Sequence, residues 1–150
     1  VNIEKLEAQL AIDEGKRLAA YHDTEGILTV GIGHNCVAKP VAGVAKIGDR
    51  ITEEQCRELF EADVSEAMAE LDRRFPWWSG LDDVRQNILV NMCFNMGGKT
   101  LAGFVNTLRF IEQGEYSLAA DGMLQSKWAR QVGNRAKRLA QMMRTGEWLA

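Results

Sequence analysis

Asp13 to His34 reads DEGKRLAAYHDTEGILTVGIGH, and these 22 residues hold four acids, two threonines, four glycines and both histidines of the chain. Within them Asp23-Thr24-Glu25-Gly26 lies between two short apolar segments, Leu18 to Tyr21 and Ile27 to Ile32. That is the best hairpin signal in the sequence, an acid able to bond its own backbone followed by a residue that tolerates positive φ. Upstream, Asn2 is an N-cap candidate, Glu4 stands in a first turn, and Ile3, Leu6 and Leu10 recur at helical spacing until Gly15. A helix therefore ends near Glu14, and Glu14 and Asp23 are carried by a helix end and a turn.

Downstream of the hairpin, Asn35 to Asp49 contains Pro40, Gly43 and Gly48 among small side chains and reads as loop or irregular strand. Thr52-Glu53-Glu54-Gln55 is a capping box. It opens a helix whose apolar stripe is Cys56, Leu59, Phe60, Val64, Ala67, Met68 and Leu71, and Pro76 ends it after about Phe75. Ser79 to Asp82 begins another helix, apolar nearly all round from Ile88 to Met96 and stopped by Gly97-Gly98, which suits the buried centre of the helical part. Val105 to Gln113, Ser117 to Gln125 and Asn134 to Arg144 are further helical segments set off by glycines. The expected fold is α+β and predominantly helical: one domain, with a small α/β lobe over about 13–51, a connecting helix over about 52–75, and a helical lobe over about 76–150 plus the N-terminal helix.

With 150 residues, 46% apolar and 26% charged, the composition is that of an ordinary globular domain and disfavours disordered, collagen-like and membrane-spanning classes. Cys36, Cys56 and Cys93 follow no zinc-ligand or disulfide-framework spacing and are expected as free thiols, made in a reducing compartment. The N-terminus has no apolar leader and no run reaches membrane-span length, so neither a secretory route nor stable membrane insertion is expected. Net charge is −3, yet Ile51 to Phe75 has eight acids against three bases, and Ser126 to Ala150 has six bases against Glu147 alone. A basic pole suits an anionic partner; nucleic acid is not favoured, since the chain carries neither a recognition motif nor a strongly basic total.

A carboxyl at the C-terminal end of a helix faces the negative end of the dipole, which disfavours ionisation and suits a general acid. Asp23, in a turn where amides and solvent can keep it ionised, is offered a different setting, and Thr29 on the returning strand could hold a water by its hydroxyl. Glycosidic hydrolysis needs that division: one carboxyl to protonate the leaving oxygen and one to activate water. Each residue alone is equally an exposed helix-end acid, a turn former or a β-former. The order of matches decides. Glu14, Asp23 and Thr29 followed by GIGH, with NMxFxMG at Asn91, AGFxNxLR at Ala102, SxW at Ser126, NRAKR at Asn134 and RTGxW at Arg144, resembles the phage-type lysozymes, glycoside hydrolase family 24, through nearly the whole chain.

The resemblance implies a lysozyme-like two-lobed fold and a muramidase that cleaves the β-1,4 bond between N-acetylmuramic acid and N-acetylglucosamine with inversion. Glu14 would be the acid, Asp23 the base or water-orienting carboxylate, and Thr29 its partner, with no metal or organic cofactor. It also implies sugar-cleft roles for Phe94 and Asn95, the latter shorter than the family's usual amide, and places Arg135 beside the catalytic acid. Asn35, Thr107 and Gly122 depart from the leucine, serine and asparagine that line the cleft of the T-even phage member. Its setting would be a phage or prophage endolysin, monomeric, made in the host bacterial cytoplasm and released to the periplasmic wall through a separate pore. A lytic transglycosylase, which could dispense with Asp23, and a non-catalytic wall-binding module are the competing readings. Trp77, Trp78, Trp128 and Trp148 are expected to pack rather than stack on sugar. Asp63 interrupts the apolar stripe between Phe60 and Ala67, so it is expected to pair with His34, which closes the GIGH strand.

Overall fold

The computed structural model describes residues 1–149. Along them run α1 (Ile3–Glu14), β1 (Arg17–His22), β2 (Leu28–Gly31), β3 (His34–Asn35), α2 (Glu53–Arg74), α3 (Asp83–Met96), α4 (Gly98–Ala102), α5 (Val105–Glu112), α6 (Tyr116–Leu124), α7 (Lys127–Val132) and α8 (Asn134–Thr145), with a 3-10 turn at Pro76–Gly80. The fold is α+β, mostly helical and lysozyme-like, as expected. Two compact units form, one of Glu7–Glu66 and one of Val1–Leu6 with the chain from Ala67; the division falls inside α1 and inside α2. No helix among the described residues is long and apolar enough to cross a membrane.

In the Glu7–Glu66 unit the three strands form an antiparallel sheet in the order β1-β2-β3. Tyr21 pairs with Thr29 and His22 with Leu28, an irregularity separates Tyr21 from Arg17, and Thr29 and Val30 pair with Asn35 and His34. The turn between β1 and β2 is the one expected: Asp23 Oδ1 accepts from the Glu25 and Ile27 amides at 2.8 and 2.9 Å. His34 does not close the same strand as Val30. β2 stops at Gly31, whose φ is +66°, the chain reverses through Ile32 and Gly33, and His34 opens a third strand. Positive φ at both glycines turns a run that reads as one strand into a second hairpin.

The outer edge of β1 is covered by the loop that follows β3: Ala20 donates to Asp49 O at 2.8 Å and Ile51 to Leu18 O at 2.9 Å. Side chains rather than regular structure hold that loop. Asn35 Oδ1 accepts from the Val37 and Ala38 amides, and Asp49 Oδ2 from those of Ala45 and Lys46. Leu10, Ala20, Val30, Ile32, Ile51, Cys56, Phe60 and Val64 are buried beneath. The capping box forms reciprocally, Thr52 N to Gln55 Oε1 at 2.8 Å and Gln55 N to Thr52 Oγ1 at 3.1 Å.

In the second unit α3 is the central helix. Asp82 caps it by accepting from the Arg85 amide at 3.1 Å, and residues 84 and 86–93 are buried. Its fully buried amides are satisfied: Asn87 exchanges hydrogen bonds with the backbone of Asn2, and Asn91 Oδ1 accepts from Arg135. On the other helices of this unit Leu101, Ile111, Ala120, Met123, Leu139 and Met143 are nearly inaccessible too. Two short helices, α4 and α7, were not expected. α7 has six residues and one buried side chain, Trp128, so no periodicity could announce it; its signal is the cap, Ser126 accepting from the Ala129 amide at 3.1 Å. Trp78 and Trp128 pack inside, whereas Trp77 and Trp148 are half-buried.

Candidate active site

Glu14 is the last residue of α1, where Gly15, at φ +79°, lets the chain leave the helix and enter β1. Asn2 starts the same helix by accepting from the Lys5 amide at 3.0 Å. Glu14 is half-buried, and its stem lies against Gly33 in the turn between β2 and β3. Asp23 is held differently. Its Oδ1 is committed to the two turn amides, while Oδ2 accepts no hydrogen bond among the described residues. Thr29, 5% exposed, donates its hydroxyl proton to Ile27 O at 2.8 Å. That bond fixes the rotor and leaves lone pairs on Oγ1 to accept from a donor such as water.

Tyr21 stands opposite Thr29 in the ladder, with the Arg17 guanidinium 4.3 Å from its ring centroid. Burial pushes its phenol up first of all; Arg17 lowers it, and the negative charges of Glu14 and Asp23 both raise it. The two carboxylates thus act on one phenol, a convergence that was not legible in the sequence beforehand. Tyr21 reads there only as an apolar strand residue.

The structure brings His34 and Asp63 together at 2.7 Å, both within the Glu7–Glu66 unit. The Asp63 carboxylate beside His34 raises the histidine above its ordinary value; burial opposes this, and the Lys39 carbonyl, 2.9 Å from Nε2, supports it. With acceptors on both ring nitrogens, the doubly protonated imidazolium satisfies the site best. Lys39, not anticipated from sequence, also reaches Asp63 at 3.5 Å and pairs with Glu66.

Phe94 and Asn95 adjoin on the last turn of α3. Phe94 is half-buried, and Asn95 Oδ1 accepts from Trp128 Nε1 at 2.8 Å. Arg135, 6% exposed at the start of α8, donates to Asn91 from Nε at 3.0 Å and from Nη2 at 2.8 Å. Of the departures, Asn35 is tied to its own loop. Thr107 and Gly122 line a groove of about 850 Å³ in the helical unit, with a Cβ on Gly122 falling 2.5 Å from Thr107 Oγ1. The three cysteines are free and buried; burial raises each thiol, Cys93 to about 11, which keeps them protonated and unreactive.

A mostly helical α+β chain with one acid at a helix end and another in the adjoining hairpin is of the lysozyme class, the hydrolases of peptidoglycan. The chain belongs to the phage lysozyme family, whose model matches residues 11–145. It is 31% identical to the probable T4-type lysozyme 1 of Dictyostelium discoideum, with 96% of each chain covered. It is 34% identical to the endolysin of Salmonella phage P22, over 77% of this chain and 76% of that one. Similarity extends to the pre-baseplate central spike protein of Enterobacteria phage T4, 32% identical over 89% of this chain and 26% of the spike protein.

Proposed function

We propose that this lysozyme is an endolysin cleaving the β-1,4 bond between N-acetylmuramic acid and N-acetylglucosamine with inversion, and that residues 1–150 work as one catalytic domain. Glu14 protonates the leaving oxygen, Asp23 Oδ2 takes the proton of the attacking water, and Thr29 Oγ1 orients that water. Phe94 and Asn95 contact the sugar, and Arg135 supports the site without touching substrate. The observation that carries this reading is the unequal setting of the two carboxyls. Asp23 is pinned by one oxygen to the backbone with the other oxygen open, whereas Glu14 closes a helix against a glycine. No metal or organic cofactor takes part, the protein acts as a monomer, and neither nucleic acid nor membrane is a partner. As in a phage lysis system, the enzyme is made in the host bacterial cytoplasm and reaches the periplasmic wall through a separate pore.

Inversion needs room for water between carboxyls roughly 6.5 to 9.5 Å apart. NMR of freshly released muropeptides is therefore expected to show the α-anomer first, with a free reducing end by mass spectrometry. Immediate β-anomer would mean retention, and an anhydro sugar would mean transglycosylation with Asp23 dispensable.

A further inference from the structure

The β2–β3 turn brings a bare Cα to the carboxyl-bearing end of α1. A Cβ built on Gly33 would lie 2.9 Å from Glu14 Cβ, 3.1 Å from Cγ and 3.4 Å from Cδ. The nearest of these is the root of the side chain, not its flexible tip, so turning χ1 of Glu14 does not relieve the contact. α1 and the turn would have to move apart. Gly31, in the same turn and also at positive φ, is a built-in contrast: a Cβ there would meet Cys56 Sγ at 3.4 Å, an ordinary contact, and comes near no part of Glu14.

We propose that Gly33 is a positioning residue for the general acid: the Glu14 stem rests on its bare Cα, and that contact sets where the carboxyl stands in the reaction. The inference rests on the reading of Glu14 as the acid. Proton donation needs heavy atoms within about 2.6 to 3.2 Å, so a carboxyl displaced by the several tenths of an ångström that a methyl demands loses rate rather than affinity. The α-carbon strain of a non-glycine residue at positive φ is a separate effect, shared by both turn glycines.

The test compares wild type, Gly31→Ala, Gly33→Ala and a chain with D-alanine at position 33. Cys36 allows the last to be made by ligating a synthetic thioester of residues 1–35 to recombinant 36–150 and refolding the full chain. D-Alanine suits positive φ and directs its methyl away from the L-Cβ position. With folded fractions matched by circular dichroism, Gly33→Ala is expected to lower kcat on a soluble peptidoglycan fragment about 10²-fold with KM within about twofold. Gly31→Ala and D-alanine at 33 should each keep kcat within about threefold of wild type, since the Gly31 methyl comes near no part of Glu14 and the D-methyl leaves the L-Cβ position empty. Equal kcat losses in Gly33→Ala and Gly31→Ala would overturn the proposal, as would a D-alanine chain as slow as Gly33→Ala. Glu14→Gln run alongside separates the two levels: full activity there would remove Glu14 as the acid, whereas its loss leaves Gly33 alone on trial.

Discussion

Asp23 holds the turn through Oδ1, and the proposed reaction uses Oδ2, so substitutions should separate the two purposes. Asparagine retains an oxygen that can accept from the Glu25 and Ile27 amides but cannot take a proton from water, whereas alanine loses both. Asp23→Asn is expected to lyse walls on the order of 10²-fold or more slowly at nearly unchanged stability, and Asp23→Ala to be as slow and about 1 to 3 kcal/mol less stable in urea. Wild-type activity in Asp23→Asn would end the role given to its charge. Glu14→Gln should likewise lose lysis by about 10²-fold or more while remaining folded, because an amide cannot donate the proton that cleavage requires. Turnover on purified peptidoglycan, with circular dichroism as the folding control, checks it.

Among the elements, β3 and α2 are joined by the His34–Asp63 contact, with side chains 5% and 14% exposed. Removing one partner leaves the other buried without its mate, and His34→Asn is expected to cost about 3 kcal/mol where the pair is fully charged. The pH window follows from the direction of the shift. Because the folded histidine titrates above its unfolded value of 6.5, its contribution is fully present below that pH and disappears as pH rises through the folded value. Urea unfolding of wild type and His34→Asn should therefore differ most in mildly acidic solution and converge in alkaline solution. A difference constant with pH would show that the pair does not titrate. At the start of α2, Thr52→Ala removes one half of a reciprocal cap and should cost about 1 kcal/mol at any pH near neutrality.

For the molecule as a whole, the structure thins the basic pole that the sequence displays. Of the six bases between Ser126 and the C-terminus, Arg135 is buried against Asn91, and Arg144 pairs with Asp121 at 2.8 Å. Lys127, Arg130 and Lys137 remain exposed. If these draw the enzyme onto the anionic wall, lysis should decline as salt brings the Debye length to about 8 Å and below. Reversing all three to glutamate should then lower lysis at low salt and flatten the salt dependence, with kcat on a small soluble fragment unchanged. Equal lysis by the reversed protein at low salt would show that the pole does not steer association.

The helix ending at Glu14, the Asp23 turn, the Thr52 cap and the buried run from Ile88 are legible without coordinates, although burial stops at Cys93 and not at Met96, with Asn95 exposed. Each is decided by residues within about one turn of one another, through capping, turn hydrogen bonds and apolar spacing. The order of motifs along the chain was enough to indicate the family. α4, α7 and β3 are too short to establish a period, and in GIGH two glycines hid a hairpin inside what reads as one strand. The pairing of His34 with Asp63 was inferable because a carboxylate on an apolar stripe demands a partner, but Lys39 as the third member was not. Gly33 under Glu14, Arg135 on Asn91 and Tyr21 opposite Thr29 with Arg17 over its ring were settled by the tertiary structure alone. His34 and Asp63 are 29 residues apart and Arg135 and Asn91 are 44 apart. Local propensity carries nothing across such distances, so packing alone determines which side chains meet and which charges stay exposed.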